Sequence, residues 1–114
     1  MDVRTLSTDE LRKRLDRDSG LHLLNVQTDQ WFTGELIPGS RRVPLDTIGK
    51  QSVHLSKDVE IVTYCGGLQC PQSSEAARKL VDLGYTNVSV YKDGLEGWKT
   101  AGNRIVSPQP VPAA

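Results

Sequence analysis

Cys65 is the residue of this sequence whose surroundings most clearly predict chemistry. It follows the apolar run 61–64 and opens a glycine-rich turn that leads into a helix-like stretch over 73–80. The N–H groups of such a turn and of the first helical turn have no helical partners, so they favour a thiolate at the strand end. Ligands also bind at this end of the strands in parallel α/β sheets. The position therefore predicts a nucleophile, against the commoner role of cysteine as a small buried hydrophobe.

A second cysteine, Cys70, stands five positions after Cys65 and directly before Pro71. A loop that curls over this distance can bring the two Cα atoms within the roughly 4.4–6.8 Å that a disulfide requires. Cys70 is therefore either a resolving thiol for Cys65 or a helix-start residue without a chemical role. Zinc binding is not expected, because there is no second cysteine pair and because His22 and His54 lack ligand spacing to this one.

The composition indicates a single globular domain, and we expect no cofactor. The chain has 114 residues, and its 14 Lys and Arg balance its 14 Asp and Glu. A net charge of zero gives no electrostatic reason to expect nucleic acid or an anionic membrane as a partner. We expect one domain over 1–106, a flexible proline-rich tail over 107–114 and, because no export signal is visible, a cytoplasmic location.

Strand-like and helix-like segments alternate along the chain. Ser7 and Glu10 form a capping box that predicts a helix start, and Gly84 marks a helix end. Strands separated by helices predict an α/β fold, in which a small parallel β-sheet is flanked by helices on both faces. The predicted strands are 21–26, 41–43, 60–64 and 87–91; a helical turn is expected over 29–34, a short helix over 45–49, a loop over 51–57, and further helices from Pro71 or Ser73 and over 94–101.

Four segments, in order and at matching spacing, resemble the rhodanese-like family of sulfurtransferases over roughly residues 5–105. They are Leu23-Leu24-Asn25-Val26, Gly34-Glu35-Leu36-Ile37-Pro38-Gly39-Ser40, Ile61-Val62-Thr63-Tyr64-Cys65, and Gly84 to Val88 with Asp93 to Trp98. The resemblance implies that Cys65 is catalytic and that the loop after it is the active site. The implied substrate-binding loop comprises Gly66, Gly67, Leu68, Gln69, Cys70, Pro71, Gln72 and Ser73.

The sequence departs from the family pattern where the family carries charge. Gln72 stands where many members have the arginine that closes the loop, which here has seven residues. The family's Asp-x-Arg in its first strand is replaced by Asn25-x-Gln27, and its histidine before Ile-Pro-Gly by Glu35. The chain is similar to a subset of members whose loop holds a second cysteine before proline. A site without arginine predicts that thiosulfate, a dianion, is a poor sulfur donor.

Other polar and aromatic residues are weaker candidates for a role in the site. Ser73 and Ser74 are expected to cap the helix, although either could donate a hydrogen bond to the site. Arg41 and Arg42 are expected on an exposed strand, although they could steer an anionic donor. Trp31 and Trp98 are expected to be packing residues.

The resemblance implies a sulfurtransferase or persulfide carrier that moves sulfane sulfur through a persulfide on Cys65. Its partners would be a sulfane sulfur donor and a thiol or protein acceptor. A thiol redox-sensing or protein-binding module on the same fold is the alternative. A phosphatase or arsenate reductase is less favoured, because Pro71 occupies the position at which a Cys-x5-Arg pattern requires arginine.

Overall fold

A five-stranded sheet forms the centre of the protein in a computed structural model that describes residues 3–16, 20–48 and 55–107. The predictions for Gly49, for 51–54 with His54 and for 108–114 lie outside these residues. The strands are β1 (Arg4–Thr5), β2 (His22–Asn25), β3 (Arg41–Arg42), β4 (Ile61–Tyr64) and β5 (Val88–Tyr91). The helices are α1 (Thr8–Asp16), α2 (Gln72–Asp82) and α3 (Gly94–Thr100), with a short 3₁₀ helix at Leu45–Thr47.

The strand order β1-β5-β4-β2-β3 places β4 in the middle of an all-parallel sheet. After β2 the chain continues to β3 on one side of the sheet, and after β4 it continues to β5 on the other side. Loops that diverge in this way open a crevice between them, at the carboxyl ends of the two strands. The order therefore puts the loop after Cys65 beside the segment that follows β2.

Both faces of the sheet are covered, which confirms the predicted architecture. Alternate residues of a strand point to opposite faces. Leu24 and Ile61 belong to a buried cluster with Ala76 and Leu80 of α2, whereas Leu23 lies in a second cluster on the other face. That second cluster also contains Leu11 of α1, Val62 and Tyr64 of β4, and Leu95 and Trp98 of α3.

The predicted helix boundaries at Ser7 and Gly84 are confirmed by their hydrogen bonds. The Ser7 N–H donates to Glu10 Oε1 at 3.0 Å, and the Glu10 N–H donates to Ser7 Oγ at 3.1 Å. Hydrogen bonding from the Ser7 N–H, and next from the Ser7 side chain, lowers the pKa of the Glu10 carboxyl. Gly84 has a φ of 103°, which lets the Tyr85 N–H reach back to the Leu80 carbonyl at 3.1 Å and close α2.

Two elements differ from the sequence prediction. Strand β1 was not predicted, because Arg4 and Thr5 are both exposed and show no apolar pattern; pairing with Ser89 and Val90 of β5 defines it. Helix α2 begins at Gln72, so Ser73 lies inside the helix and does not cap it.

Within the described ranges no helix is both long and apolar enough to cross a membrane.

Candidate active site

The loop after β4 is fixed by the start of α3. Cys65 directly follows β4 and is almost fully buried. Its carbonyl accepts a hydrogen bond from the Leu95 N–H at 2.9 Å, and the Gly66 carbonyl accepts one from the Glu96 N–H at 2.8 Å. Gly94 makes this approach possible, because its φ is 65° and a side chain there would begin 2.6 Å from the Cys65 oxygen. The first turn of α3 thus sets the path on which the loop leaves the strand.

Cys70 lies against Cys65. The structure pairs the two cysteines as a disulfide, with Cα atoms 6.4 Å apart, inside the range that such a bond requires. A turn in which the Cys70 N–H donates to the Gly67 carbonyl at 3.1 Å folds the loop back over the strand end. Cys70 is therefore not the first residue of the helix, and its sulfur is in place to react with Cys65.

Free backbone amides remain in the first half of the loop. Within the described chain, the amides of 66–69 donate to no protein acceptor, so they are available to a bound group. The Cys65 sulfur, which is paired with the Cys70 sulfur, lies 3.4 Å from the Cys70 carbonyl oxygen.

Two uncharged amides take the place of the family's Asp-x-Arg under the loop. Asn25 Nδ2 donates to Gln27 Oε1 at 3.1 Å, and both residues are buried. Gln27 Nε2 donates onward to the Trp31 carbonyl at 3.2 Å and lies 3.2 Å from the point at which a side chain on Gly66 would begin. The pair supports the loop without bringing a charge to the cysteine.

Gln72 connects the loop to the segment after β2. Its Nε2 donates to Thr28 Oγ1 at 3.0 Å, and its Oε1 accepts from the Thr28 N–H at 3.3 Å and lies 3.8 Å from the Cys70 sulfur. The side chain that stands in place of an arginine therefore binds protein groups at the edge of the site and brings no charge.

A cleft of about 1280 Å³ opens beside the loop. Trp31 lies at its mouth with 62% of its surface exposed, so the expectation that it packs in the core is wrong. Trp98, in contrast, is buried as expected, and its Nε1 donates to the Arg104 carbonyl at 2.8 Å. The other lining residues are Gln27, Gly66, Gly67, Leu68, Gln69, Cys70, Pro71, Gln72, Asp93, Glu96, Gly97, Thr100 and Ala101.

The structure places Ser73 and Arg42 in surroundings that the sequence did not predict. Ser73 is buried, and its Oγ has no hydrogen-bond partner among the described residues. Arg42 is not a freely exposed strand residue: its guanidinium donates to the Gln27 carbonyl at 2.9 Å, pairs with Asp29 at 3.0 Å and stacks 3.9 Å from the Phe32 ring centre. It therefore anchors the segment after β2.

Glu96 was missed as a site residue. Its carboxylate Oε2 lies 2.6 Å from the point at which a side chain on Gly67 would begin, so it stands over the loop. An exposed acid on a short helix has no spacing signal in the sequence, and only the contact between α3 and the loop reveals its position.

Comparison with known proteins identifies the same family and the same fold. The sequence model of the rhodanese-like domain family matches residues 7–101. A sulfurtransferase of Allochromatium vinosum is 25% identical over 94% of this chain and 98% of its own length. An HTH-type transcriptional regulator of Mycobacterium tuberculosis is 30% identical over 90% of this chain, which spans only 44% of the regulator.

Solved structures agree with these sequence matches. The rhodanese-like domain of the Anabaena Alr3790 protein has a TM-score of 0.77 at 26% identity, with all of this chain and 87% of that one covered. The BH2092 protein of Bacillus halodurans has a TM-score of 0.82 at 24% identity, with 91% of this chain and 77% of that one covered, a likeness of fold alone. This chain is a member of the rhodanese-like domain family.

Proposed function

We propose that this protein is a sulfurtransferase or persulfide carrier in which Cys65 holds the transferred sulfur. One observation carries the proposal: Cys65 directly follows the central strand, at the start of a loop with free amides, with the Cys70 sulfur against it and a cleft beside the loop. Relatives named as sulfurtransferases, at 25% and 26% identity, support the same reaction class.

In the first step the reduced Cys65 thiolate attacks the outer sulfur of a donor persulfide, R–S–SH. A bond forms between Cys65 Sγ and that sulfur, and the S–S bond of the donor breaks. The donor leaves as the thiolate R–S⁻ with the electron pair of the broken bond, and the protein carries Cys65–S–SH. The free amides of 66–69 are available to stabilise the anionic leaving group.

In the second step an acceptor thiolate, or Cys70, resolves the persulfide. An external acceptor attacks the outer sulfur and restores the Cys65 thiolate. Attack by the Cys70 thiolate on the inner sulfur forms the Cys65–Cys70 disulfide and releases hydrosulfide, HS⁻. An external dithiol then reduces the disulfide and is itself oxidised to its cyclic form. The contact between the two sulfurs supports this second route.

The assignment of Cys65 predicts where added sulfur is found. Reduced Cys70→Ser protein treated with a low-molecular-weight persulfide should gain the mass of one sulfur atom on the peptide that holds Cys65. Cys65→Ser should gain none, and its transfer rate to an added thiol should fall to the uncatalysed background. Peptide mapping by mass spectrometry and a transfer assay measure both. Wild-type transfer rates in Cys65→Ser would show that another residue carries the sulfur.

The second candidate is a thiol redox switch, which the paired sulfurs favour. Hydrogen peroxide would oxidise the Cys65 thiolate to a sulfenic acid, and Cys70 would displace water to form the disulfide. The two functions separate in one experiment: a switch forms the disulfide with peroxide but moves no sulfur from any persulfide. A phosphatase is not proposed, because no Lys or Arg is among the cleft-lining residues of the described chain.

A further inference from the structure

We infer that the mouth of the cleft docks a protein partner whose reactive cysteine is flanked by an apolar side chain and a basic residue. The inference rests on the proposed function and names its substrate class: a protein thiol or protein persulfide rather than a small oxyanion. It is carried by exposed apolar side chains and by uncompensated carboxylates that meet at one opening.

Exposed apolar surface is concentrated at this opening. The described chain exposes three large hydrophobic side chains: Trp31 at 62%, Leu68 at 65% and Leu83 at 43%. Trp31 and Leu68 both line the cleft, whereas Leu83 lies at the far end of α2. The backbone of Trp31 is held at this position, since its N–H donates to the Thr28 carbonyl at 2.9 Å and its carbonyl accepts from Gln27. Large aromatic side chains are typical anchors of protein interfaces.

The charge at the opening is negative. Asp93 and Glu96 line the cleft, and no Lys or Arg is among its lining residues in the described chain. Lys99 on the same helix as Glu96 is directed away, to Glu35 at 3.1 Å. Because Glu96 stands over Gly67 at the entrance to the loop, its carboxylate repels an approaching dianion and attracts a cation.

The size of the cleft also favours a macromolecule. Its volume of about 1280 Å³ exceeds the roughly 300–1,000 Å³ that is common for small-molecule sites. Thiosulfate offers neither an apolar group for Trp31 and Leu68 nor a positive charge for Glu96. A protein segment that carries a basic residue and an apolar residue beside its cysteine offers both.

The test compares two peptides that differ only in charge. Each holds one cysteine, activated as an aromatic disulfide, next to a leucine; the flanking residues are lysines in one peptide and glutamates in the other. Reduced Cys70→Ser protein attacks each peptide through Cys65, which gives a mixed disulfide and releases the aromatic thiol. We expect the lysine peptide to react roughly threefold faster at low salt, with the difference falling as salt is added.

Matched variants separate docking from general effects. Glu96→Gln should abolish most of the preference for the lysine peptide, whereas Glu75→Gln, on the exposed side of α2, should keep it. Trp31→Ala and Leu68→Ala should each slow both peptides by about tenfold, the effect expected for loss of a buried large side chain. Leu83→Ala should leave both rates unchanged. Circular dichroism of each variant checks that it is folded.

A second readout does not depend on sulfur chemistry. Fluorescence anisotropy of the labelled, reduced peptides with Cys65→Ser/Cys70→Ser protein should show the same order of affinities. Equal binding and equal exchange of the two peptides, or insensitivity to Trp31→Ala and Leu68→Ala, would overturn the docking surface even if Cys65 transfers sulfane sulfur. Selective docking without any sulfur transfer from a persulfidated peptide would instead leave the surface in place and refute the proposed reaction.

Discussion

Neutral side chains lie near the loop after Cys65 at the positions where the family pattern predicts charge. Asn25 and Gln27 pair with each other under the loop, and Gln72 binds Thr28 at its edge. Amides supply hydrogen bonds of ordinary strength, about half that of bonds made by charged groups. A site built in this way offers these side chains to a bound anion only as uncharged partners, which agrees with the proposed transfer between persulfides.

Replacing Gln72 by arginine should improve the use of thiosulfate. A guanidinium at the edge of the cleft adds a charged hydrogen-bond donor that the wild-type site does not offer to the dianion. About 1.4 kcal/mol of extra binding free energy corresponds to a tenfold lower KM. Gln72→Met is the control, because it loses the bonds to Thr28 without gaining charge. Steady-state assays with thiosulfate and cyanide measure both variants. Wild-type protein that already saturates at micromolar thiosulfate would contradict the argument from the missing cation.

Helix α3 acts as a clamp on the loop after β4. Its first N–H groups bind the carbonyls of Cys65 and Gly66, and its Glu96 reaches over Gly67. The same short element therefore fixes the backbone of Cys65, the proposed nucleophile, and supplies charge at the mouth of the cleft. A change at the start of α3 should affect both the stability of the fold and the rate of transfer.

The clamp predicts a severe effect of Gly94→Ala. Positive φ alone costs alanine about 1–2 kcal/mol, and the collision with the Cys65 oxygen adds about 1–3 kcal/mol, so the unfolding free energy should fall by roughly 2–5 kcal/mol. Gly102→Ala is the control: Gly102 also has positive φ, at 86°, but nothing lies within 4 Å of an added Cβ. Urea unfolding compares them. Equal losses in the two variants would mean that the contact with Cys65 is unimportant.

Elements with a buried apolar run could be predicted from the sequence, whereas of the two-residue edge strands β3 was predicted and β1 was not. The four-residue strands β2, β4 and β5 and the apolar stripe of α2 were recognised because their apolar residues indicate burial. Strand β1 has two exposed residues, so only its neighbour β5 reveals it.

The sequence predicted the site residues that are contiguous in the chain but not those that come from distant segments. Cys65 and its loop are contiguous in sequence, and their strand-turn-helix context marks them. Trp31 and Glu96 come from separate segments that reach the loop through the sheet order and the α3 clamp. Residue type also could not decide that Trp31 faces solvent, because the turn at 29–31 sets the direction of its side chain.

At the scale of the whole molecule, two buried phenols connect stability to alkaline pH. Burial raises the pKa of Tyr64 and of Tyr91. Tyr64 is held by the Ile37 N–H at 3.0 Å and by Ser40 Oγ at 2.8 Å, and Tyr91 by Thr8 Oγ1 at 2.6 Å. Both phenols belong to the cluster with Leu11, Leu95 and Trp98, so this face of the sheet depends on groups that must stay protonated in the folded state.

The unfolding free energy should fall as the pH rises through about 10. A folded-state pKa above the unfolded value means that the folded chain keeps protons which the unfolded chain releases, so this contribution is complete below about pH 10 and is lost above it. Urea unfolding at about pH 8.5 and 10.5 measures the loss. Tyr64→Phe should be less stable at both values, because it loses two hydrogen bonds, but should show a smaller difference between them. An unchanged difference would exclude Tyr64 as a source.

The two edges of the sheet have a consequence for how the molecule meets other copies of itself. Each edge strand has only two residues, Arg4–Thr5 on one side and Arg41–Arg42 on the other, and both carry arginine. Long, uncharged strand edges invite pairing with another chain and lead to aggregation, whereas short, charged ones discourage it. The edges of the sheet therefore disfavour fibril-like growth. The molecule can expose Trp31 and Leu68 at its cleft because its edge strands present few backbone groups for pairing with another chain.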